Sequence, residues 1–154
     1  MADADLAGVD AVRREIADDC HAVLVFDGVC VLCSGWVRFL LRHDHAGRYA
    51  FASMQGDRGR ALLRAHGLDP DDPLSLLLLE YDRADGARVS VDSDAVRRVL
   101  AGMGGLWRLA HLIVILPRPL RDSLYRMLAR NRYRLFGRHE ACMVPEPAQA
   151  HRFL

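Results

Sequence analysis

The sequence predicts an α/β fold built as one mixed sheet flanked by helices, with a helical C-terminal extension. Ala22 to Phe26 and Leu74 to Tyr81 are apolar runs of strand length, and stretches with helically spaced apolar residues alternate with them. A chain of 154 residues with 51% hydrophobic content can bury one sizeable core and is too short for two full-sized domains.

Residues 1–21 form an acidic leader carrying Asp3, Asp5, Asp10, Glu15, Asp18 and Asp19, expected to be helical or partly disordered. No basic region followed by an apolar run is present, so the expected location is cytoplasmic rather than secreted. Ala22 to Phe26 then reads as a strand buried on both faces and stopped by the turn signal Asp27-Gly28. Val31 to His43 follows with helical periodicity. Cys33, Trp36, Val37, Leu40 and Leu41 share its inward face, and Cys30 falls outside that face, exposed at the first turn.

Tyr49 to Ser53 is expected as a second strand, followed by a helix capped by Asp57, with Leu62 and Leu63 on one face and Gly67 as its stop. Pro73 opens the strand Leu74 to Tyr81, and Asp82 to Gly86 turns the chain into Ala87 to Val91, an antiparallel hairpin. Asp92 or Ser93 caps a helix marked by Val96, Val99, Leu100 and Met103 and ended by Gly102, Gly104 and Gly105. The order βαβαββα over residues 22–104 is that of the thioredoxin-like fold. Residues 105–154 add helical stretches at Leu106 to Leu116 and Pro119 to Leu135, packed on the core, with Pro119 at a first helical position.

The chain has 4 cysteines, and the spacing of Cys30 and Cys33 points to redox or metal chemistry. A cysteine at a helix N-terminus is favoured as a thiolate by unpaired N–H groups and the helix dipole. A second cysteine one turn on can attack the mixed disulfide that the first makes with a substrate. Cys30 is thus the candidate nucleophile and Cys33 the resolving thiol. Val31 and Leu32 carry no polar side chain, so any depression of the Cys30 pKa is expected mainly from backbone and dipole. Asp27 is a candidate proton relay, its pKa raised by partial burial, with a plain turn-forming role as the alternative.

Two rival readings use the same residues. Cys30, Cys33, His139 and Cys142 make a Cys3His set that fits tetrahedral zinc if the tail folds back. A non-catalytic interaction module is the other. Cys20 has no expected role. The string Val-Leu-Val-Phe-Asp-Gly is like the start of a haloacid-dehalogenase-type phosphatase, but Val29 stands where the second carboxylate is needed.

Net charge is +1, and all 21 basic residues are arginine. Arg118, Arg121, Arg126, Arg130, Arg132, Arg134 and Arg138 make the extension basic, which is read as a solvated face with the acidic leader as a nearby partner. The small net charge argues against nucleic acid as a partner. Leu106 to Leu116 is interrupted by Arg108 and His111 and ended by Pro117, short of the roughly 20 residues of a membrane span.

The string DGVCVLC, with Asp27, Cys30 and Cys33, resembles the DxxCxxC signature of the DCC family of predicted thiol-disulfide oxidoreductases. Trp36 to Leu41, Gly59 to Gly67, Leu106 to Pro119, Asn131 to Gly137, Cys142 and Pro145 extend the resemblance from about Val23 to the C-terminus. It implies a thioredoxin-like fold and a redox role. The expected partners are a disulfide-bearing protein or small thiol and a cellular thiol reductant, with no cofactor. Unlike thioredoxins, the chain has no tryptophan before Cys30 and no proline between the cysteines. Thioredoxin-like proteins present a cis-proline ahead of the hairpin, where Pro73 stands. This makes Pro73 a candidate substrate-binding residue, with an ordinary trans proline as the alternative.

Overall fold

A computed structural model describes residues 21–71, 76–82 and 86–154. Its strands are β1 (Ala22–Phe26), β2 (Tyr49–Ser53), β3 (Leu77–Asp82) and β4 (Gly86–Val91). The helices are α1 (Val31–His43), α2 (Asp57–Ala65), α3 (Asp92–Gly102) and α4 (Arg118–Phe136), with 3-10 segments at Gly105–Ile115 and Pro147–Arg152. The 4-stranded sheet runs β2-β1-β3-β4. The first two strands are parallel, and β3 is antiparallel to both β1 and β4. This is the expected mixed sheet and βαβαββα order, consistent with a thioredoxin-like fold.

Alternation along β1 sorts its side chains onto two faces, because successive Cβ atoms point to opposite sides of a sheet. Val23 and Val25 meet Ala50, Ala52, Leu77, Leu79 and, from α2, Leu62 and Leu63. Leu24 and Phe26 meet Phe51, Leu78 and, from α1 and α3, Val37, Leu40, Ala95 and Val99. Both faces are therefore covered, which is why β1 reads as an unbroken apolar run. The helix α2 lies so close to β2 that a Cβ at Gly59 would sit 2.0 Å from the Ser53 carbonyl oxygen. Backbone cannot yield cheaply there. Gly59→Ala is expected to lower stability by about 2 kcal/mol, read as a drop in thermal midpoint.

Several local expectations are corrected. The α2 N-cap is Gly56, with Asp57 already in the first turn. At α3 the N-cap is Val91, and neither Asp92 nor Ser93 caps. Asp92 adopts φ 54 and accepts a hydrogen bond from Arg126, while Ser93 donates to Asp122 and accepts from Arg121. Tertiary partners thus outcompete the local backbone for these side chains. Arg118, rather than Pro119, is the first residue of α4, and Pro117 is its cap. Residues 106–116, expected as a helix packed on the core, lie mostly in the Gly105–Ile115 3-10 segment, and most of their apolar side chains are exposed. Trp107 meets Phe39 and His43 edge-on. Cys20, Pro73 and the acidic leader before His21 lie outside the described residues.

The C-terminus is tied to the sheet. Arg152 pairs with the buried carboxylate of Asp44 and donates to the Tyr49 carbonyl at 3.1 Å, and the Leu154 N–H donates to Phe51 at 2.8 Å. The tail is thereby held along the edge strand β2, with Phe153 packing on one face of the sheet and Leu154 on the other.

Candidate active site

Strand β1 ends at Phe26, and the next residues form a tight junction into α1. Asp27, Val29 and Cys30 are all buried. Cys30 is the N-cap of α1, and its sulfur accepts the Cys33 N–H at 3.3 Å. The Cys33 thiol also hydrogen-bonds to that sulfur. Ser34 secures the turn, its hydroxyl donating to the Gly28 carbonyl at 3.2 Å and its N–H to the Cys30 carbonyl at 2.9 Å.

Those contacts divide the two sulfurs electrostatically. Hydrogen bonding from the Cys33 thiol pulls the Cys30 pKa down to about 6, helped by the Cys33 N–H and the positive charge of Arg132, against burial and the negative charge of Asp27. The Cys33 pKa is pushed far up, because its proton is held by Cys30 and because the site is desolvated. At neutral pH Cys30 is thus chiefly thiolate and Cys33 thiol. Titration of thiolate absorbance in the reduced protein is expected to show one midpoint near 6 that is missing in Cys30→Ser.

Accessibility departs from expectation at one of the two sulfurs. Cys30, expected at the surface, is 0% exposed, whereas Cys33 packs against the inward cluster as expected and is half-buried. The segment after α4 explains part of the cover. Val31 donates to Gly137 at 3.4 Å, His139 donates to Val29 at 2.7 Å, and Cys30 and Arg138 face each other in an antiparallel bridge. Met143 completes the strap by donating to Gly28 at 2.9 Å.

Asp27 sits behind the pair, 1% exposed. One carboxylate oxygen accepts from Gln55 at 2.8 Å and from the Val29 N–H at 3.2 Å. The other accepts from Arg132 at 2.9 Å and from the Tyr133 hydroxyl. Burial alone would raise its pKa, but the bonds from Tyr133, Arg132, Gln55 and Val29 outweigh burial and hold it below the usual carboxylate value. The expected upward shift is therefore reversed, and Asp27 is a fixed anion.

Sequence reasoning missed Arg132, Tyr133 and Gln55. Arg132 was assigned with its neighbours to a solvated face, yet it is buried, as is Arg121, which binds Asp94 and Ser93. The periodicity of α4 contained a signal: Arg121, Tyr125 and Arg132 fall on one side of the helix, and that side packs inward. Gln55 gave no signal.

The alternative zinc set does not assemble. The Cys142 sulfur lies 3.2 Å from the Ser53 hydroxyl and donates to Gln55 at 3.5 Å, against Gly28. Among the described residues, no three His, Cys, Asp or Glu side chains converge as metal ligands.

A mixed sheet of this order, with a polarised cysteine pair at the junction of its first strand and helix, defines a dithiol protein of thioredoxin-like fold. Residues 24–138 match the family described as DCC1-like thiol-disulfide oxidoreductase, and the chain belongs to that family. It is 41% identical over 134 residues to the uncharacterized protein YuxK of Bacillus subtilis (strain 168), covering 87% of this chain and 94% of that protein. It is 36% identical over 126 residues to the DCC family protein At1g52590, chloroplastic, of Arabidopsis thaliana, covering 81% of this chain and 70% of that protein. No solved structure matches the chain.

Proposed function

We propose that this protein reduces disulfides in a cytoplasmic setting, with Cys30 as nucleophile and Cys33 as resolving thiol. The observation that carries this reading is the polarised pair itself: one sulfur receives both the N–H and the thiol proton of the other, with a guanidinium nearby. The Cys30 thiolate attacks one sulfur of a substrate disulfide, forming a mixed disulfide and expelling a substrate thiolate. Cys33 then gives up its proton, which the expelled thiolate can take, and attacks the Cys30 sulfur. The second substrate thiolate leaves, and Cys30 and Cys33 are oxidised to a disulfide while the substrate gains two electrons. A cellular thiol or dithiol restores the pair.

Asp27 serves in this scheme as a positioning residue that fixes Arg132 beside the thiolate. Its low pKa suits it poorly to carrying a proton. Because Cys30 is covered, a substrate gains access when the bridge between Cys30 and Arg138 gives way. Pro73 keeps the proposed role of a substrate contact.

The test is reduction of a small aromatic disulfide by the fully reduced protein, followed by mass analysis. The expected products are two substrate thiols and a protein lighter by two hydrogens, with the bridge mapped to Cys30 and Cys33. Absence of turnover across several disulfides, with both thiols still free, would instead support a non-catalytic interaction module.

A further inference from the structure

The C-terminal extension carries its apolar side chains on the outside. In the Gly105–Ile115 segment, Leu106, Leu109, Leu112 and Ile115 are 79%, 57%, 59% and 81% exposed. They recur every third residue, and in a 3-10 helix side chains three apart stack above one another, so they form a single exposed ridge. The helix α4 continues the pattern. Leu120, Leu124, Met127, Leu128 and Leu135 are exposed and fall along one side, next to the inward side that carries the buried Arg121, Ala129 and Arg132. Leu116 and Val114, also exposed, lie at the end of the first ridge. Consecutive exposed apolar ridges of this kind mark an interaction surface.

Charge identifies what the surface meets. Arg108, Arg130 and Arg134 are exposed on the same two elements, and Arg118 and Arg126, also exposed, are already paired with Asp94, Asp122 and Asp92. The sequence from Gly105 to Arg138 has one acidic residue, Asp122, which is engaged by Ser93 and Arg118. A second copy of the chain would set arginine against arginine across such a face, whereas anionic headgroups would neutralise it. No helix among the described residues is long and apolar enough to cross a membrane, so the contact is interfacial.

We propose that the 3-10 segment and the outer side of α4 dock this protein on an anionic lipid surface, with the leucine ridges entering the headgroup region and the arginines binding phosphates. The Arg132–Asp27 contact that reaches the cysteine site is made from the inward side of α4, whereas the leucine ridge is on its solvent side.

The test is co-sedimentation of the full chain with phosphatidylcholine vesicles, with or without about 30% phosphatidylglycerol. Partitioning is expected to be about tenfold stronger on the anionic vesicles and to weaken as salt is raised. Leu109→Gln with Leu112→Gln and, separately, Arg130→Gln with Arg134→Gln are each expected to weaken it about fivefold or more, without altering the far-ultraviolet spectrum or the reactivity of Cys30. Failure to bind vesicles, or equal binding to both kinds, overturns the proposal. So does a dimer in sedimentation equilibrium that the leucine substitutions disperse, which would assign the face to a second copy. Disulfide reduction is read separately, so loss of one reading leaves the other standing.

Discussion

Cys30→Ser is expected to lower the rate of disulfide reduction by about a thousandfold or more, because a serine hydroxyl stays protonated and does not displace a disulfide sulfur. The loss should come without unfolding. Serine is a good N-cap and can accept the Cys33 N–H that the Cys30 sulfur now accepts, so the α1 terminus keeps its local bond. Cys33→Ser should behave differently. Cys30 would still attack, the mixed disulfide would have no resolving thiol, and the adduct would accumulate in stoichiometric amount, visible by mass. Equal loss in both variants with no trapped adduct would contradict the assigned order of attack.

The second large effect is expected at Arg132. Its guanidinium lies 2.9 Å from Asp27, both side chains being nearly inaccessible to solvent. Arg132→Met would leave a buried carboxylate with no ionic partner, and removing one member of such a pair costs about 3–5 kcal/mol. Chemical denaturation of wild type and variant measures this directly. The same substitution should move the Cys30 pKa up from about 6, since Arg132 is one of the groups that lower it. A stability loss without any change in thiolate titration would assign Arg132 to structure alone.

The pH dependence has a definite sign. Asp27 has a folded pKa below its ordinary value of 3.8, so its contribution to stability is present above that value and is lost as pH falls through the folded pKa. Wild type should therefore lose this contribution at strongly acid pH. In Arg132→Met the Asp27 pKa rises towards or beyond the ordinary value, and the acid limb of the stability curve should shift to higher pH. Asp27→Asn on the Arg132→Met background should recover part of the loss, because the uncompensated charge is gone.

The division between the two cysteines shows where sequence reasoning reaches its limit. The periodicity of α1 correctly groups Cys33 with the inward face bearing Val37 and Leu40, but its expectation of an exposed Cys30 fails. It carries no information about a segment more than a hundred residues away, and residues 137–143 are what cross the junction and help cover Cys30. Arg132 illustrates a different failure. A run of arginines in a basic extension is usually solvated, but one turn of α4 points its guanidinium at Asp27 and the next points leucines at solvent. The Asp27 carboxylate makes burial of Arg132 favourable, as Asp94 and Ser93 do for Arg121.

By itself the sequence determined the strands, the helix order, the place of the cysteine pair and the resemblance to its family, because apolar periodicity, turn residues and a short motif are local properties. The tertiary structure decided which cysteine is covered, why its thiolate is stabilised, and that Asp27 remains charged. Those outcomes depend on groups converging from the ends of β1 and α1, from α4 and from the turn after β2, which supplies Gln55. Electrostatic energies follow distance and burial in space, and spacing along the chain does not encode either.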